Sequence, residues 1–273
     1  MKKNQRKAKL ILSISSDIGF HLAKDWLKKG YNVIGTYRQF SQNCRKLESL
    51  GATILKCDLT NDASVECAAN KILTHSDWIH LVLAAGTQEP IGKFSEINFL
   101  NWKESFNINF LNQLYFLQLL IKNLRFSEFK NKRVIMFAGS GTNSAPLNYS
   151  AYTISKIALI KMCELLQAEI PQVSFTILGP GWVKTKIHNE TIRSSYLAGN
   201  NLKIAKTKIK NNDFYPMEKV IQCCNWILSA KKEVVNGRNF SAVFDPWEEK
   251  KIDQISKDNN NFKLRRFSND FFE

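Results

Sequence analysis

Long apolar runs, glycine-rich turns and groups of metal-binding side chains are all scarce in this chain of 273 residues. No apolar stretch approaches the ~18 residues that a membrane-spanning helix needs, so we expect no membrane partner. The six cysteines form no C-x-x-C pair and have no histidines at zinc spacing, so we expect no metal site. Most of these cysteines lie in apolar surroundings, which is typical of a reducing compartment and predicts a cytoplasmic protein.

Acidic residues are also few, with 24 Asp and Glu against 39 Lys and Arg and a net charge of +15. A nucleic-acid interface would concentrate the basic residues on one element with aromatic residues between them. Here they are spread along the chain, so we expect no nucleic-acid partner. Only the net charge would support such a partner. The charge is explained first by a Lys-rich composition with solvated faces, and the alternative explanation is attraction for an anionic cofactor or substrate. Residues 1–6 are predicted to be a basic arm, because the apolar stretch after them is shorter than the ~7–15 residues of a signal peptide.

What the chain does contain is a regular alternation of short apolar runs with amphipathic segments. The runs are KLILSIS, YNVIGTY, ATILKCD, WIHLVLAAG, RVIMFAG and VSFTILGPG. Helical patterns lie between them, at residues 18–29, 44–50, 63–74, 102–123 and 151–169, and a helix at 216–228 and a strand at 239–244 follow. This order predicts an α/β fold with a doubly wound parallel sheet in a single domain, residues 7–247. Residues 248–273 are too polar for a core and are predicted to form a tail that wraps the surface.

Ligands of such sheets bind at the carboxyl ends of the strands, so the chemistry is expected there. After the fifth strand comes the segment NYSAYTISKIALIK, in which Tyr152 and Lys156 are four residues apart and therefore share one helix face. A serine- and glycine-rich turn precedes this helix, and the segment GPGWVKT ends the next strand.

With these motifs in this order, the chain resembles the short-chain dehydrogenase/reductase family, which has a Rossmann-like fold, from about residue 7 to residue 247. Tyr152 and Lys156 match the catalytic Tyr-x-x-x-Lys of that family, and Asn109 matches the helix-borne asparagine of its proton relay. The position of the family's catalytic serine is Gly139 here. Ser140 comes one residue late and is our candidate for that role.

Two further assignments near this site stay open. Ser144 is an alternative stand-in for the catalytic serine. Asn107 and Asn112 flank Asn109 in the sequence, and we expect both of their side chains to face solvent.

The resemblance also implies a set of cofactor contacts at the strand ends. The family's N-N-A-G turn reads Leu-Ala-Ala-Gly here and lacks both asparagines. The acidic residue that contacts adenine and the P-G-x-V-x-T segment that lies against the nicotinamide are both matched. The resemblance implies that Tyr152 and Lys156 also contact the cofactor. The other implied contacts at the strand ends are Asp58, Leu59, Ala85, Gly86, Pro180, Gly181, Val183 and Thr185.

The phosphate-binding turn is the most altered motif. Aligned on Gly19, the family's T-G-x-x-x-G-x-G has Ser13 and Asp17 in place of its first two glycines. Phosphate is bound mainly by backbone N–H groups at a helix N-terminus, so the turn is expected to remain competent, with Asp17 turned outward. The predicted contacts in this turn are Ser13, Ser15, Ser16, Ile18 and Gly19.

The second strand indicates which nucleotide is bound. Enzymes of this shape that use NAD place an acidic residue at its end, whereas here Tyr37 is followed by Arg38. A guanidinium group can hold a 2′-phosphate with two hydrogen bonds, so NADP(H) is predicted over NAD(H).

The resemblance therefore implies an oxidoreductase that interconverts a carbonyl and a secondary alcohol of a small molecule by hydride transfer. Tyr152 would move the proton, and Lys156 would lower the tyrosine pKa from ~10. Residues 187–210, polar and Lys-rich, are expected to form an irregular, mobile substrate loop and favour an anionic substrate, such as a nucleotide-linked sugar or a carrier-bound acyl group. A homodimer or homotetramer is expected. The alternative is a catalytically weak NADP(H)-binding sensor or scaffold protein, which the lost glycines and the displaced serine favour.

Overall fold

The computed structural model describes residues 7–122, 124 and 131–266, so the predicted basic arm at 1–6 lies outside the described residues. Its strands are β1 (Lys7–Leu12), β2 (Asn32–Tyr37), β3 (Thr53–Lys56), β4 (Asp77–Leu83), β5 (Arg133–Phe137), β6 (Ser174–Gly179) and β7 (Arg238–Ser241). All pair in parallel, in the spatial order β3-β2-β1-β4-β5-β6-β7. The order reverses between β1 and β4, which is where such sheets open a ligand crevice.

Helices cover both faces of this sheet. They are α1 (Asp17–Lys28), α2 (Gln42–Ser49), α3 (Asp62–His75), α4 (Phe99–Phe106), α5 (Asn112–Lys122), α6 (Ser150–Glu169), α7 (His188–Arg193), α8 (Asn200–Lys210), α9 (Met217–Ser229), α10 (Lys232–Val235) and α11 (Lys251–Ile255). One apolar core lies between the sheet and α3, α5 and α6. A second lies between the sheet and α1, α9 and α10. The predicted α/β fold, a doubly wound parallel sheet in one domain, is confirmed.

The segment predicted as one helix at 102–123 is three elements. A π-helical turn (Asn107–Leu111) separates α4 from α5. Such turns insert one extra residue into a helix and are frequent at functional sites. Asn109 lies in this turn with its side chain fully buried.

The expectation of an irregular stretch at 187–210 is wrong. It forms α7, a 3₁₀ turn (Ser195–Ala198) and α8. Thr191, Ala198 and Ala205 are buried, so packing against the domain holds these short helices where the local sequence pattern is weak.

The chain after residue 247 covers the edge strand β7. The guanidinium group of Arg238 donates hydrogen bonds to the carbonyls of Ser256, Asp258 and Asn261, and Asn239 N donates to Phe262 O at 2.7 Å. These contacts cover an edge that would otherwise expose unpaired backbone groups. The domain boundary at residue 247 stays a prediction.

In the described part of the chain, none of the helices has both the length and the apolar character needed to cross a bilayer. The cytoplasmic location stays a prediction.

Candidate active site

A cleft of about 1670 Å³ lies at the carboxyl ends of the strands. Its walls are the turn between β1 and α1, the ends of β2 to β6, the start of α6, and α7. Every residue that the sequence analysis assigned to the cofactor or to catalysis lines this cleft except two. These are Gly19 and Asn109, both of which are buried.

The turn between β1 and α1 forms a helix N-terminus although two of its glycines are replaced. Ser16 is the N-cap of α1, and its Oγ accepts a hydrogen bond from Gly19 N at 3.1 Å. A Cβ at position 19 would lie 2.6 Å from Ser13 O and 2.8 Å from Ser16 Oγ, so glycine is required there. Ser13 takes the left-handed conformation with φ +67°, and its N–H donates to Thr36 Oγ1 at 3.0 Å. A serine therefore occupies the backbone conformation that favours glycine, at a cost of roughly 1–2 kcal/mol.

Asp17 connects this turn to the opposite wall. Its Oδ2 accepts a hydrogen bond from Lys186 N at 2.7 Å, in the segment after β6. The carboxylate thus faces Lys186, where we expected it to face outward. This bond draws the segment before α7 across the cleft toward the start of α1.

The ends of β2 and β3 form the wall on the other side of the turn. Arg38 is exposed and lines the cleft beside Tyr37 and Phe40, whose rings meet edge to face at 5.4 Å. Asp58 Oδ1 accepts hydrogen bonds from Thr60 N at 3.0 Å and from Thr60 Oγ1 at 2.9 Å. The following residue, Leu59, also lines the cleft.

Asn109 supports the turn after β4, which contains Ala85 and Gly86. Its Oδ1 accepts from Thr87 N at 2.9 Å, and its Nδ2 donates to Thr87 O at 2.8 Å. Gln113 Nε2 donates to Ala85 O at 3.2 Å and to Asn109 O at 3.0 Å. Side chains from the π-helical turn and from α5 therefore hold a turn that lacks its usual asparagines.

The two asparagines that flank Asn109 in the sequence, Asn107 and Asn112, differ in exposure. Asn107 is exposed, as expected. The expectation that Asn112 faces solvent is wrong, because its side chain is buried and its Nδ2 donates to Leu59 O at 2.8 Å and to Asp62 Oδ1 at 3.0 Å.

Tyr152 and Lys156 lie together at the bottom of the cleft, exposed to only 9% and 3%. Lys156 Nζ is 5.8 Å from the centre of the tyrosine ring. Burial raises the pKa of Tyr152 to about 12, and the Glu190 carboxylate adds to that rise. Burial lowers the pKa of Lys156 to about 8. Burial and the Glu190 carboxylate both raise the Tyr152 pKa, so the expected lowering by Lys156 is not seen in this structure.

Gly139 is the residue against which the tyrosine ring packs. A Cβ there would lie 2.7 Å from the Tyr152 hydroxyl oxygen and 2.8 Å from two ring carbons. The family position of the catalytic serine therefore has no room for a side chain in this arrangement. Ser140 and Ser144 are both exposed and line the cleft.

The segment after β6 closes the cleft. Gly181 has φ +77°, and a Cβ there would lie 2.4 Å from Val243 Cγ2. Val183 is buried, and its carbonyl lies 2.9 Å from His188 Nε2. Pro180 and Thr185 line the cleft beside these two residues.

Glu190, on α7, brings a carboxylate into the cleft. Its Oε2 accepts hydrogen bonds from Gln88 N at 2.5 Å and from Thr87 Oγ1 at 3.2 Å. Burial raises its pKa, although the hydrogen bonds oppose that rise. The next residue, Thr191, donates to Gln88 Oε1 at 2.9 Å. Helix α7 is thus attached to the turn after β4.

Comparisons with known proteins agree with this geometry. The family described as Enoyl-(Acyl carrier protein) reductase matches residues 14–242. The chain belongs to the short-chain dehydrogenase/reductase family. It is 28% identical over 251 residues to 11-beta-hydroxysteroid dehydrogenase-like 2 of Arabidopsis thaliana, covering 88% of this chain and 73% of that protein. It also resembles the crystal structure of a short-chain dehydrogenase/reductase from Saccharomyces cerevisiae, with a sequence identity of 25% and a TM-score of 0.75. That match covers 88% of this chain and 97% of the other.

As a member of this family, the chain is an oxidoreductase of the dehydrogenase/reductase type. Sequence reasoning missed three residues of this short-chain dehydrogenase/reductase site: Thr87, Gln113 and Glu190. Only Glu190 has a signal in the sequence, because it is the sole acidic residue among positions 187–210 of a Lys-rich stretch. The other two contribute through contacts that join distant parts of the chain.

Proposed function

We propose that this protein is an NADP(H)-dependent reductase or dehydrogenase that interconverts a carbonyl and a secondary alcohol. The observation that carries the proposal is the placement of Tyr152 and Lys156 together, both buried, at the bottom of the cleft. A tyrosine hydroxyl shielded from water is suited to proton transfer with a substrate oxygen. Family membership favours an enzyme over the sensor or scaffold protein.

The residues present fit a nicotinamide dinucleotide. The N-terminus of α1 offers backbone N–H groups and the positive end of the helix dipole to a pyrophosphate. Arg38 would hold a 2′-phosphate, which is why we propose NADP(H) over NAD(H). When bound, the cofactor supplies or accepts the hydride. The remaining proposed contacts are Asp58 and Leu59 with the adenine, Ala85 and Gly86 along the ribose, Pro180, Gly181, Val183 and Thr185 with the nicotinamide, and Lys156 with its ribose.

The raised pKa of Tyr152 keeps its hydroxyl protonated at neutral pH, the state that the reduction of a carbonyl requires. A hydroxyl with a pKa of about 12 stays protonated at neutral pH and can give its proton to the substrate oxygen. Lys156, with a pKa of about 8, can exchange protons near neutral pH and return one to Tyr152. We propose that Ser140 donates a hydrogen bond to the substrate oxygen. Asn109 would act by holding the neighbouring turn and by ordering water toward Lys156.

If the substrate is anionic, we propose that its charged group binds at the rim of the cleft. Lys208 and Arg193 lie there, although each also pairs with a carboxylate, of Asp213 and Glu89 respectively. The Glu190 carboxylate also lines the cleft and would repel a negative charge placed beside it. A nucleotide-linked sugar or a carrier-bound acyl group could both meet this condition.

A homodimer or homotetramer is proposed from the family and from an exposed apolar face on α4. Phe99 and Leu100 are 57% and 70% exposed, and the rings of Phe99 and Trp102 stack at 5.7 Å. Exposed apolar clusters of this kind mark interaction surfaces. Light scattering coupled to size-exclusion chromatography measures the mass, and a monomer at micromolar concentration would contradict this part of the proposal.

Tyr152→Phe tests the proposed reaction. It removes the hydroxyl that moves the proton and nothing else, so turnover of NADPH with ketones, aldehydes and sugars should fall to below a few per cent of wild type. Binding of NADPH, measured by calorimetry, should be unchanged. Tyr115→Phe is the matched control, since that hydroxyl lies on the surface and bonds Glu66. Full activity of Tyr152→Phe would refute the assignment.

A further inference from the structure

The Asp17 side chain and the Lys186 backbone form a bridge across the cleft. Asp17 Oδ2 accepts a hydrogen bond from Lys186 N at 2.7 Å, although the two residues are 169 positions apart. Both line the cleft, Asp17 at the start of α1 and Lys186 in the segment after β6. In the part of the chain that the structure describes, no other hydrogen bond joins positions 184–189 to a distant segment. This bond is therefore the polar attachment of that segment.

The order of the strands shows what the bridge spans. β1 leads into α1, β6 leads into the segment that contains Lys186, and β4 and β5 lie between these two strands. Neighbouring strands lie ~4.8 Å apart, so three such steps put the ends of β1 and β6 about 14 Å apart. The bridge therefore crosses the ends of β4 and β5. A dinucleotide that reaches from the N-terminus of α1 to Lys156 has to pass it.

The helix after this segment is attached separately. Glu190 accepts a hydrogen bond from Gln88 N, and Thr191 Oγ1 donates to Gln88 Oε1 at 2.9 Å, so α7 is held to the turn after β4. Together with the bond from Asp17, these contacts fasten the chain from Lys186 to Thr191 at two separate points. Groups of the protein itself thus hold this wall of the cleft in place.

Asp17 also brings a negative charge to the end of α1, where the proposed function places a pyrophosphate. The family motif has glycine at this position, so the bridge and the charge are both features of this chain. A carboxylate that only repelled the pyrophosphate would speed the release of the cofactor. A carboxylate that holds the wall across the cleft would slow it. The two roles therefore predict effects of opposite sign.

We infer that Asp17 is a positioning residue that clasps the segment after β6 across the nicotinamide half of the cleft, so that NADP(H) enters and leaves when the bond between Asp17 and Lys186 opens. This inference rests on the proposed function, because it takes NADP(H) as the ligand. Glycine, which has no side chain, cannot form this clasp.

The first measurement is made on the protein without nucleotide. Amide hydrogen exchange, followed by NMR, reports on the Lys186 N–H directly. Asp17→Ala removes the acceptor, and a hydrogen bond to a charged group corresponds to about tenfold or more, so Lys186 should exchange at least about tenfold faster. Asp17→Asn keeps a neutral acceptor, and its exchange rate should lie between those of wild type and Asp17→Ala.

The second measurement is the dissociation rate of NADPH, followed by stopped-flow fluorescence. Loss of the clasp should raise this rate about tenfold in Asp17→Ala and by a smaller factor in Asp17→Asn. Loss of a repelling charge alone would lower the rate in both variants. Asp25→Ala is the matched control, because Asp25 lies on the same helix, pairs with Lys29 at 2.8 Å and is outside the described lining of the cleft. It should change neither measurement.

An unchanged exchange rate of Lys186 in Asp17→Ala would overturn the inference, as would an NADPH dissociation rate that falls or stays the same in that variant. Circular dichroism of each variant checks that it is folded. Failure of the proposed reaction has a different signature, because Tyr152→Phe would then keep full turnover while the dissociation rates of wild type and Asp17→Ala still differed.

Discussion

Replacing Lys156 with methionine should stabilise the protein near neutral pH while removing its function. The ammonium group is 3% exposed, and burial lowers its pKa to about 8 from an ordinary 10.5. The difference corresponds to about 3 kcal/mol of destabilisation whenever the folded chain carries this charge, at ~1.4 kcal/mol per pKa unit. Methionine has a similar length and no charge, so Lys156→Met removes that destabilisation without opening a large cavity.

The sign of the pH dependence follows from proton binding. Below pH 8 the lysine is protonated in both states, and the folded state bears the whole cost. Between pH 8 and pH 10.5 the unfolded chain binds more protons, so the free energy of unfolding of wild type rises with pH. The advantage of Lys156→Met should therefore be about 3 kcal/mol at pH 7 and small at pH 10.

Urea denaturation at pH 7 and pH 10 measures the difference in the free energy of unfolding between Lys156→Met and wild type. Lys161→Met is the matched control, since Lys161 lies on the same helix, is 46% exposed and pairs with Glu164. That change should alter the free energy of unfolding by well under about 1 kcal/mol. If Lys156→Met is no more stable than wild type at pH 7, or gains equally at pH 10, burial of this charge is not the destabilising factor. Calorimetry of the same variant should show weaker NADPH binding, because the ribose contact is lost.

Three further changes test the cofactor and the oxygen-binding group. Arg38→Asp should weaken NADPH binding far more than NADH binding, because it places a like charge beside the 2′-phosphate; equal losses in calorimetric titration would contradict the assignment. Ser140→Ala should lower turnover by ~10²–10³, the usual effect of losing one oxyanion donor, while Ser144→Ala should change little, and the reverse result would move the role to Ser144. Gly139→Ser restores the family serine, yet its Cβ would lie 2.7 Å from the Tyr152 hydroxyl; displacing that ring should lower turnover about 10²-fold, and a faster enzyme would refute the packing argument.

The fold could be predicted from the sequence because its signals are local. Strands β1 to β6 are short apolar runs that end in small or polar residues, and α1 to α4 each begin at a serine or asparagine whose side chain caps the helix. Parallel pairing then follows from the alternation of strand and helix. The position of Arg38 in the cleft was predictable because it directly follows β2, and those of Tyr152 and Lys156 because they lie in the first turns of α6, the helix that follows β5.

Only the tertiary structure decided how these groups interact. The helix predicted at 102–123 contains a π-helical turn, in which Asn109 pairs with Thr87, 22 residues away. Glu190 reaches Gln88 across 102 residues. The pKa of Tyr152 was expected to fall because Lys156 is four residues away, whereas it rises, because burial depends on what the rest of the chain places over the ring. Spacing along a helix sets which charges are neighbours, but the dielectric around them and the partners they meet are properties of the packed molecule.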